Sequence, residues 1–287
     1  VVKSWVLKKY ADEKGKPLEV VHRAACEALG FPLSLNLADA ELAKKLNSAL
    51  YVATPSYSAQ KAPTKLEFVF SDGKTQARKQ FSFGPGYEIR AEVSVADGER
   101  VLPLEVVWPG GFGDQSMPAS LAALAGRAFY QHEAGGTTEE ELLQPSFWAR
   151  LSDWLTSTSR KSADRLIPGP FIAAGLADRY FVSAFLPGLP EAKFRIFRRS
   201  WTPPDWKGKE EDKPNPIAAA LGTDAPKALP FRLFVMPKDL DVLRAVDPPL
   251  DRLVDYGWFS VVAKPLFAAM RYIHDHWVHN FGWAIVI

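Results

Sequence analysis

The sequence predicts a mainly β protein in which antiparallel sheets pack face to face and a helical section follows at the C-terminal end. Between residues 66 and 108, runs of alternating apolar and polar residues recur, most clearly over residues 87–95, as in strands with one buried face. The turn pairs Asp72-Gly73 and Asp97-Gly98 separate these runs, which is typical of hairpins. Near the C-terminus the apolar period lengthens to that of a helix.

The first third of the chain is predicted to form an edge hairpin, a helix and a meander. Val1–Tyr10 has the β-branched and aromatic content of a strand, and Gly15 marks the turn that follows it. Asp39–Ser48 combines an Asp cap with strong helix formers, which predicts a helix. Residues 66–108 are expected to form one antiparallel meander that ends in the run VLPLEVVW, residues 101–108.

Later segments follow the same rules. Residues 179–186 and 193–199 have strand composition, and residues 229–236 are expected to be the last core strand. Residues 137–155, acidic at their start and interrupted by a proline, suggest a short helical or irregular insertion. The helical C-terminal section is expected to begin at residues 237–246.

Two segments are predicted to be exposed connections. Pro109–Asp114, PGGFGD, is glycine-dense but lacks the GK[ST] ending of a phosphate loop and follows a meander, so we expect a tight, surface-exposed turn. The six prolines between Trp201 and Pro230, with charged residues among them, predict a long exposed loop.

Composition excludes several functions. Lys and Arg number 35 against 33 Asp and Glu, a formal charge of +2 without a long block of one sign, so we expect no nucleic-acid partner. The single cysteine, Cys26, excludes an intramolecular disulfide and multi-cysteine metal sites. Its setting in RAACEALG predicts a small buried side chain. No cofactor is indicated.

The most informative pattern is an apolar stripe near the C-terminus. From Phe259 the stripe residues are spaced 3, 4, 4, 3 and 4, so they share one helical face, opposite Lys264 and Arg271. Such a helix could be buried in a core, lie at a membrane interface or bind a partner groove, and its aromatic margins favour the interface. Pro265 predicts a kink or break near residues 261–264. The predicted membrane-interface residues are Trp258, Phe259, Val262, Leu266, Phe267, Met270, Ile273, Trp277 and Trp283.

Both ends of the sequence look cut. It begins at Val1 without methionine, and its last apolar run, AIVI, is far shorter than the roughly 20 residues of a spanning helix. We therefore expect residues 281–287 to be the start of a transmembrane helix.

The HDHWVH segment could suggest a metal site. Of its three histidines, His274, His276 and His279, only His276 and His279 would be close neighbours on one helix, and Asp275 would point elsewhere. We predict polar residues at the level of lipid headgroups and no metal site.

The C-terminal motifs resemble those of the YidC/Oxa/Alb family of membrane-protein insertases, in the bacterial form with a large periplasmic domain. VDYGW at residues 254–258 precedes AKPLF at residues 263–267 and a Gly-Trp pair. LADRYFVSAFLP at residues 176–187, LGFPLSL at 29–35 and LNSALY at 46–51 also look like the periplasmic part of such proteins. The signature residues are Asp255, Tyr256, Gly257, Trp258, Lys264, Pro265, Leu266, Phe267, His274, Gly282 and Trp283.

This resemblance implies a β-supersandwich similar to galactose mutarotase over residues 1–245. It implies a helical linker and amphipathic interfacial helix over residues 246–280, then the truncated membrane helix at 281–287. The insertase groove and its arginine are expected beyond Ile287, so this portion should not insert proteins alone.

The resemblance also implies a role and partners. The role is that of an accessory periplasmic domain and tether at the bacterial inner membrane. The implied partners are the lipid bilayer, nascent membrane proteins, SecYEG and the SecD/SecF complex.

A mutarotase-like fold raises an alternative, a carbohydrate- or peptide-binding domain or a sugar epimerase. An epimerase would need a paired acid and base. The histidines of the β region, His22 and His132, stand in no motif for that chemistry, so we predict no catalytic residues and no enzyme.

Overall fold

The computed structural model divides into two compact units, Val1–Lys238 and Asp239–Ile287. The described residues are 1–12, 15–55, 64–84, 86–116, 118, 120, 126–132, 137–140, 164–209, 213, 215–253, 266, 269, 270, 272, 273, 276 and 277.

Strands are the main elements of the first unit. In its first half the elements are β1 (Val6–Ala11), β2 (Pro17–Glu19), α1 (Arg23–Leu29), β3 (Ser34–Asn36), α2 (Ala40–Ser48), β4 (Val52–Thr54), β5 (Lys65–Ser71), β6 (Thr75–Phe83), β7 (Glu88–Asp97), β8 (Arg100–Val101) and β9 (Leu104–Trp108). In its second half they are β10 (Arg127–His132), β11 (Thr137–Glu140), β12 (Arg165–Pro168), β13 (Phe171–Ala177), β14 (Phe181–Pro187), β15 (Lys193–Arg198), β16 (Ile217–Thr223) and β17 (Leu229–Pro237).

Two antiparallel sheets form a sandwich, which confirms the predicted fold class. The larger sheet has the order β11-β10-β13-β14-β17-β7-β6-β5-β4, with β8 on β7, and the smaller has the order β12-β15-β16-β9-β3. Their inner faces meet where the ring of Phe171 on β13 lies 6.3 Å from that of Phe194 on β15. Trp108, Phe129 and Phe185 are among the largest side chains buried in the sandwich.

Several predicted elements are confirmed. The edge hairpin is β1 paired with β2, and the first predicted helix is α2, whose cap Asp39 accepts hydrogen bonds from Glu41 N and Leu42 N. The predicted strands at 179–186, 193–199 and 229–236 correspond to β14, β15 and β17, and Cys26 is buried.

The predicted meander is wrong at its end. Asp97-Gly98 closes a hairpin only onto the two-residue β8, and β9 then joins the other sheet, between β16 and β3. Pro103 separates β8 from β9 and lacks the N–H that a continuing ladder would need. Most of β9 is buried, so its environment differs from that of a half-exposed hairpin strand.

The two predicted exposed connections are also wrong in part. Pro109–Gly113 is buried, and its glycines allow close contact, because a Cβ on Gly110 would lie 2.4 Å from Cys26 Sγ. Within the predicted loop at 201–230, Trp201 is buried and β16 is a fully buried central strand. The predicted insertion at 137–155 contains strand β11, and its remainder lies outside the described residues.

The second unit begins with α3 (Leu240–Arg244), within the segment predicted to be helical. The Asp239 carboxylate caps this helix by accepting hydrogen bonds from Asp241 N and Val242 N. A 3₁₀ turn follows at Asp251–Leu253, and Arg244 Nε lies 3.6 Å from an oxygen of Asp251.

Candidate functional site

Four residues of the predicted apolar stripe lie in the described part of the second unit. Leu266, Met270 and Ile273 are α-helical, and Trp277 lies in a wider π-helical turn. Leu266 and Trp277 are 63% and 67% exposed, whereas Met270 and Ile273 are half-buried. Large exposed apolar side chains thus occur at both ends of this part of the stripe.

The other predicted residues of this unit lie outside the described residues. They are Asp255, Tyr256, Gly257, Trp258, Phe259, Val262, Lys264, Pro265, Phe267, His274, Gly282 and Trp283. The predicted break at 261–264 lies outside as well. Among the described residues, no helix has the length and apolar character needed to cross a membrane.

His276 is the only described histidine of the HDHWVH segment. Its ring stacks on Tyr272 with centroids 4.3 Å apart, and its Nδ1 lies 3.0 Å from Tyr272 O. Within the described ranges, no group of three or more His, Cys, Asp or Glu residues could hold a metal ion.

A second candidate site lies in the first unit, where residues of the N-terminal segment 1–10 and of β5, β6 and β7 line two cavities. Two adjoining cavities of about 560 and 640 Å³ share five wall residues: Trp5, Val6, Leu66, Phe83 and Ile89. We name them the Lys79 cavity and the Tyr87 cavity, each after a residue that lines it alone. Their volumes lie in the range of small-molecule sites.

Alternation along β6 places Lys79 in the apolar face. Thr75, Ala77 and Lys79 are buried, whereas Gln76 and Arg78 are exposed. Lys79 pairs in register with Phe68 on β5 and Val93 on β7, so its side chain shares a face with apolar neighbours.

The Lys79 ammonium is held within the cavity wall. Its side chain is 5% exposed, its Nζ donates a hydrogen bond of 2.8 Å to Leu33 O, and the ring centroid of Tyr51 lies 5.7 Å away. Neither partner carries a negative charge, and burial lowers the pKa of Lys79 to about 8. Leu33 has a φ of 61°, a conformation that is uncommon outside glycine.

Glu19 fixes the strand that covers both cavities. Its Oε1 accepts hydrogen bonds from Trp5 N at 2.8 Å, Val21 N at 2.9 Å and Val20 N at 3.1 Å, and its Oε2 accepts one from the Ser4 hydroxyl. The ring of Trp5 also lies 6.1 Å from that of Trp108. The N-terminal segment is therefore attached to the sandwich by both polar and aromatic contacts.

The histidines considered for catalysis have structural contacts. His22 is buried and its Nδ1 accepts a 3.2 Å hydrogen bond from Ala25 N at the start of α1. His132 Nδ1 lies 3.1 Å from Pro170 O, and its ring stacks on Phe171 at 5.0 Å. Each ring thus occupies a position set by packing.

Sequence reasoning missed Lys79. The signal was present, because Lys79 occupies an inward position in the series Thr75, Ala77, Lys79, Phe81 and Phe83. A charged residue within an apolar period is the informative exception in such a pattern.

Comparison with known families gives one match over most of the chain. The family model described as the YidC periplasmic domain matches residues 1–269, which include the sandwich and part of the second unit.

Curated relatives carry the name membrane protein insertase YidC. The protein of Geobacter metallireducens is 38% identical over 114 residues, 40% of this chain and 20% of the relative. That of Bordetella petrii is 40% identical over 101 residues, 31% of this chain and 18% of the relative. That of Pelobacter propionicus is 32% identical over 136 residues, 47% of this chain and 24% of the relative. The matched part thus spans about a fifth of the length of these relatives.

Proposed function

We propose, since the chain belongs to the YidC periplasmic domain family, that it is the accessory periplasmic domain and membrane tether of a membrane-protein insertase. The observation that carries this proposal is the family match, which runs over residues 1–269 and so extends past Leu266. In this proposal residues 1–245 are the periplasmic domain, 246–280 the linker and interfacial helix, and 281–287 the start of a membrane helix.

The exposed side chains at the two ends of the described part of the stripe support a lipid-facing helix. Leu266 and Trp277 would each remove apolar surface from water on entering the headgroup region, and tryptophan favours that depth in membranes. The helix would then hold the sandwich at the periplasmic surface of the inner membrane.

The proposed partners are the bilayer, nascent membrane proteins, SecYEG and SecD/SecF. The work proposed for this portion is positioning rather than catalysis. The apolar C-terminal stripe supports a positioning role. The hydrogen bonds of His22 and His132 give these side chains a structural role instead of a catalytic one.

Flotation with phospholipid vesicles tests the tether. The 287-residue chain is expected to float with vesicles, and a Leu266→Asp/Trp277→Asp variant is expected to lose about tenfold or more in vesicle affinity, because charged groups are costly in hydrocarbon. Leu166→Asp is the matched control, since Leu166 is 55% exposed on strand β12 of the sandwich.

Two results would count against the proposal. One is a wild-type chain that stays with the soluble fraction at every lipid concentration, and the other is an equal loss in the Leu166 control. Separately, proteoliposomes carrying only this chain should not insert a small phage coat protein, and insertion there would contradict an accessory role.

A further inference from the structure

We propose that the Lys79 cavity binds a long-chain carboxylate, with its head against the Lys79 ammonium and its hydrocarbon chain along the aromatic wall. This site is independent of the membrane tether, because it lies wholly in the sandwich unit.

No carboxylate among the described residues pairs with the Lys79 ammonium. Lys79 has three N–H donors, and its described contacts are one carbonyl, Leu33 O, and one ring, Tyr51. A buried ammonium without a carboxylate partner is costly. An anion in the cavity would supply the missing charge and a charge-assisted hydrogen bond.

The neighbours of the ammonium place it at the cavity. Leu33 and Tyr51, which contact Lys79 Nζ, both line the same cavity as the Lys79 side chain. A ligand head that enters between them would therefore reach the nitrogen.

The remaining walls suit an alkyl chain. Phe68, Phe81, Phe83 and Leu66 line the cavity, and the rings of Phe68 and Phe81 lie 6.1 Å apart. Phe83 and Leu66 also line the Tyr87 cavity, so a chain too long for one cavity can continue into the next. Burial of each methylene group contributes about 0.8 kcal/mol.

A peptide fits these walls less well. Its backbone N–H and C=O groups need partners when buried, but two of the polar side chains at the cavity are already engaged. The Tyr51 hydroxyl donates to Leu46 O at 3.0 Å, and the Ser4 hydroxyl donates to Glu19. Lys79 therefore offers one polar contact at one end, which matches an amphiphile with a single polar head.

Calorimetric titration of the detergent-free 287-residue chain tests the proposal. The probes are dodecanoate and dodecanol, both below their aggregation concentrations. Dodecanoate is expected to bind at one site and about tenfold or more tighter than dodecanol, the difference that one charge-assisted hydrogen bond can supply.

Two lysine variants separate the contribution of the ligand's carboxylate head from that of the apolar cavity walls. Lys79→Met removes the charge and keeps the apolar stem, so it should abolish the preference for dodecanoate while dodecanol still binds. Lys74→Met is the matched control, because Lys74 lies at the β5–β6 turn of the same hairpin with its side chain 79% exposed, and it should leave both affinities unchanged.

The outcomes that would overturn the proposal are specific. They are equal affinities of the wild-type chain for acid and alcohol, a preference that survives Lys79→Met, or displacement of dodecanoate by an amidated leucine-rich peptide that binds more tightly. The wild-type comparison of acid and alcohol decides the matter even if Lys79→Met fails to fold.

Discussion

The two halves of the ten-stranded sheet differ in what covers their inner face. At β10, β13 and β7 the second sheet packs directly on the first, through β16 and β9, and β14 is buried at six of its seven residues. At the other half, β5 has no fully buried residue, and the Lys79 and Tyr87 cavities separate it from the N-terminal segment and from Leu33 and residues 49–51. The same strand alternation therefore gives a sealed core in one half and a groove in the other.

This difference shows that the elements packed over a strand, and not the strand itself, decide whether an inward side chain lies in the core or beside a cavity. Phe194 comes from β15 of the smaller sheet and packs on Phe171 of the sealed half with no exposed surface, whereas the inward-facing Phe83 of the other half is 40% exposed. Lys79 lies in the open half, where a carbonyl, a ring and a cavity surround it.

The largest expected loss of stability comes from a substitution in the core of the sealed half. Phe194→Ala should lower the free energy of unfolding by about 3–5 kcal/mol, because it leaves a cavity between the sheets. Phe83→Ala should cost about 1 kcal/mol or less, since its ring is already partly in water. Urea denaturation followed by near-ultraviolet circular dichroism measures both. Equal costs would show that the groove is as tightly packed as the core.

The sequence predicted the elements whose signals are local. The cap Asp39 identifies α2, and the alternation over residues 87–95 identifies β7. β16 was missed because its Ala-rich run, IAAALGT, has weak strand propensity and lies among prolines. It is a strand because β15 and β9 pair with its two edges, and that long-range fact is absent from any local window.

The two candidate sites also differ in how far local sequence patterns predict them. The apolar stripe that includes Leu266 and Trp277 follows from spacing alone, whereas the groove depends on where β1 lies over β5 and β6. No local pattern reports which strand covers another. The position of Lys79 on the inward face could have been predicted, but not the cavity beside it.

The second prediction uses pH to measure the cost of burying Lys79. Burial lowers the pKa of its ammonium from 10.5 to about 8, so between these values the unfolded chain holds a proton that the folded chain has released. Stability must then rise with pH across this window. Relative to Lys79→Met, the wild-type chain should gain up to about 3 kcal/mol between pH 8 and 10.5.

Two other groups near Lys79 titrate at the edges of that window, and both are also present in the Lys79→Met protein. Burial, with Lys79 and Lys3 nearby, lowers the pKa of the Val1 amino group to about 5, and burial raises the pKa of Tyr51 to about 12. Chemical denaturation of both proteins at several pH values measures the difference. A difference that is flat in pH would mean that the Lys79 ammonium is as well solvated when folded as when unfolded.

The third prediction loosens the cover of the groove. Glu19→Ala should lower the free energy of unfolding by about 1–3 kcal/mol, because the N–H groups of Trp5, Val20 and Val21 lose a partly buried acceptor. Hydrogen exchange should accelerate at residues 4–10 more than in β14. Glu27→Ala is the control, since Glu27 makes only an exposed pair with Arg23 and should change stability by less than about 0.5 kcal/mol. Unchanged exchange at the N-terminal strand would show that Glu19 does not hold the cover.

The last prediction compares the stability cost of substituting one glycine in each half of the sheet. Gly73, in the turn between β5 and β6, has a φ of 92° and open space where a Cβ would stand. Gly73→Ala should therefore cost about 1 kcal/mol through backbone strain alone, and Gly73→Asn should cost less, because asparagine tolerates positive φ. In the sealed half, a Cβ on Gly175 would lie 1.8 Å from Ser183 O of the neighbouring strand. Gly175→Ala should therefore lower the free energy of unfolding more than Gly73→Ala does, through steric overlap. Gly175→Asn should lower it further still. Urea denaturation of the four variants measures both orders, and asparagine better than alanine at Gly175 would contradict the steric reading of the sealed half.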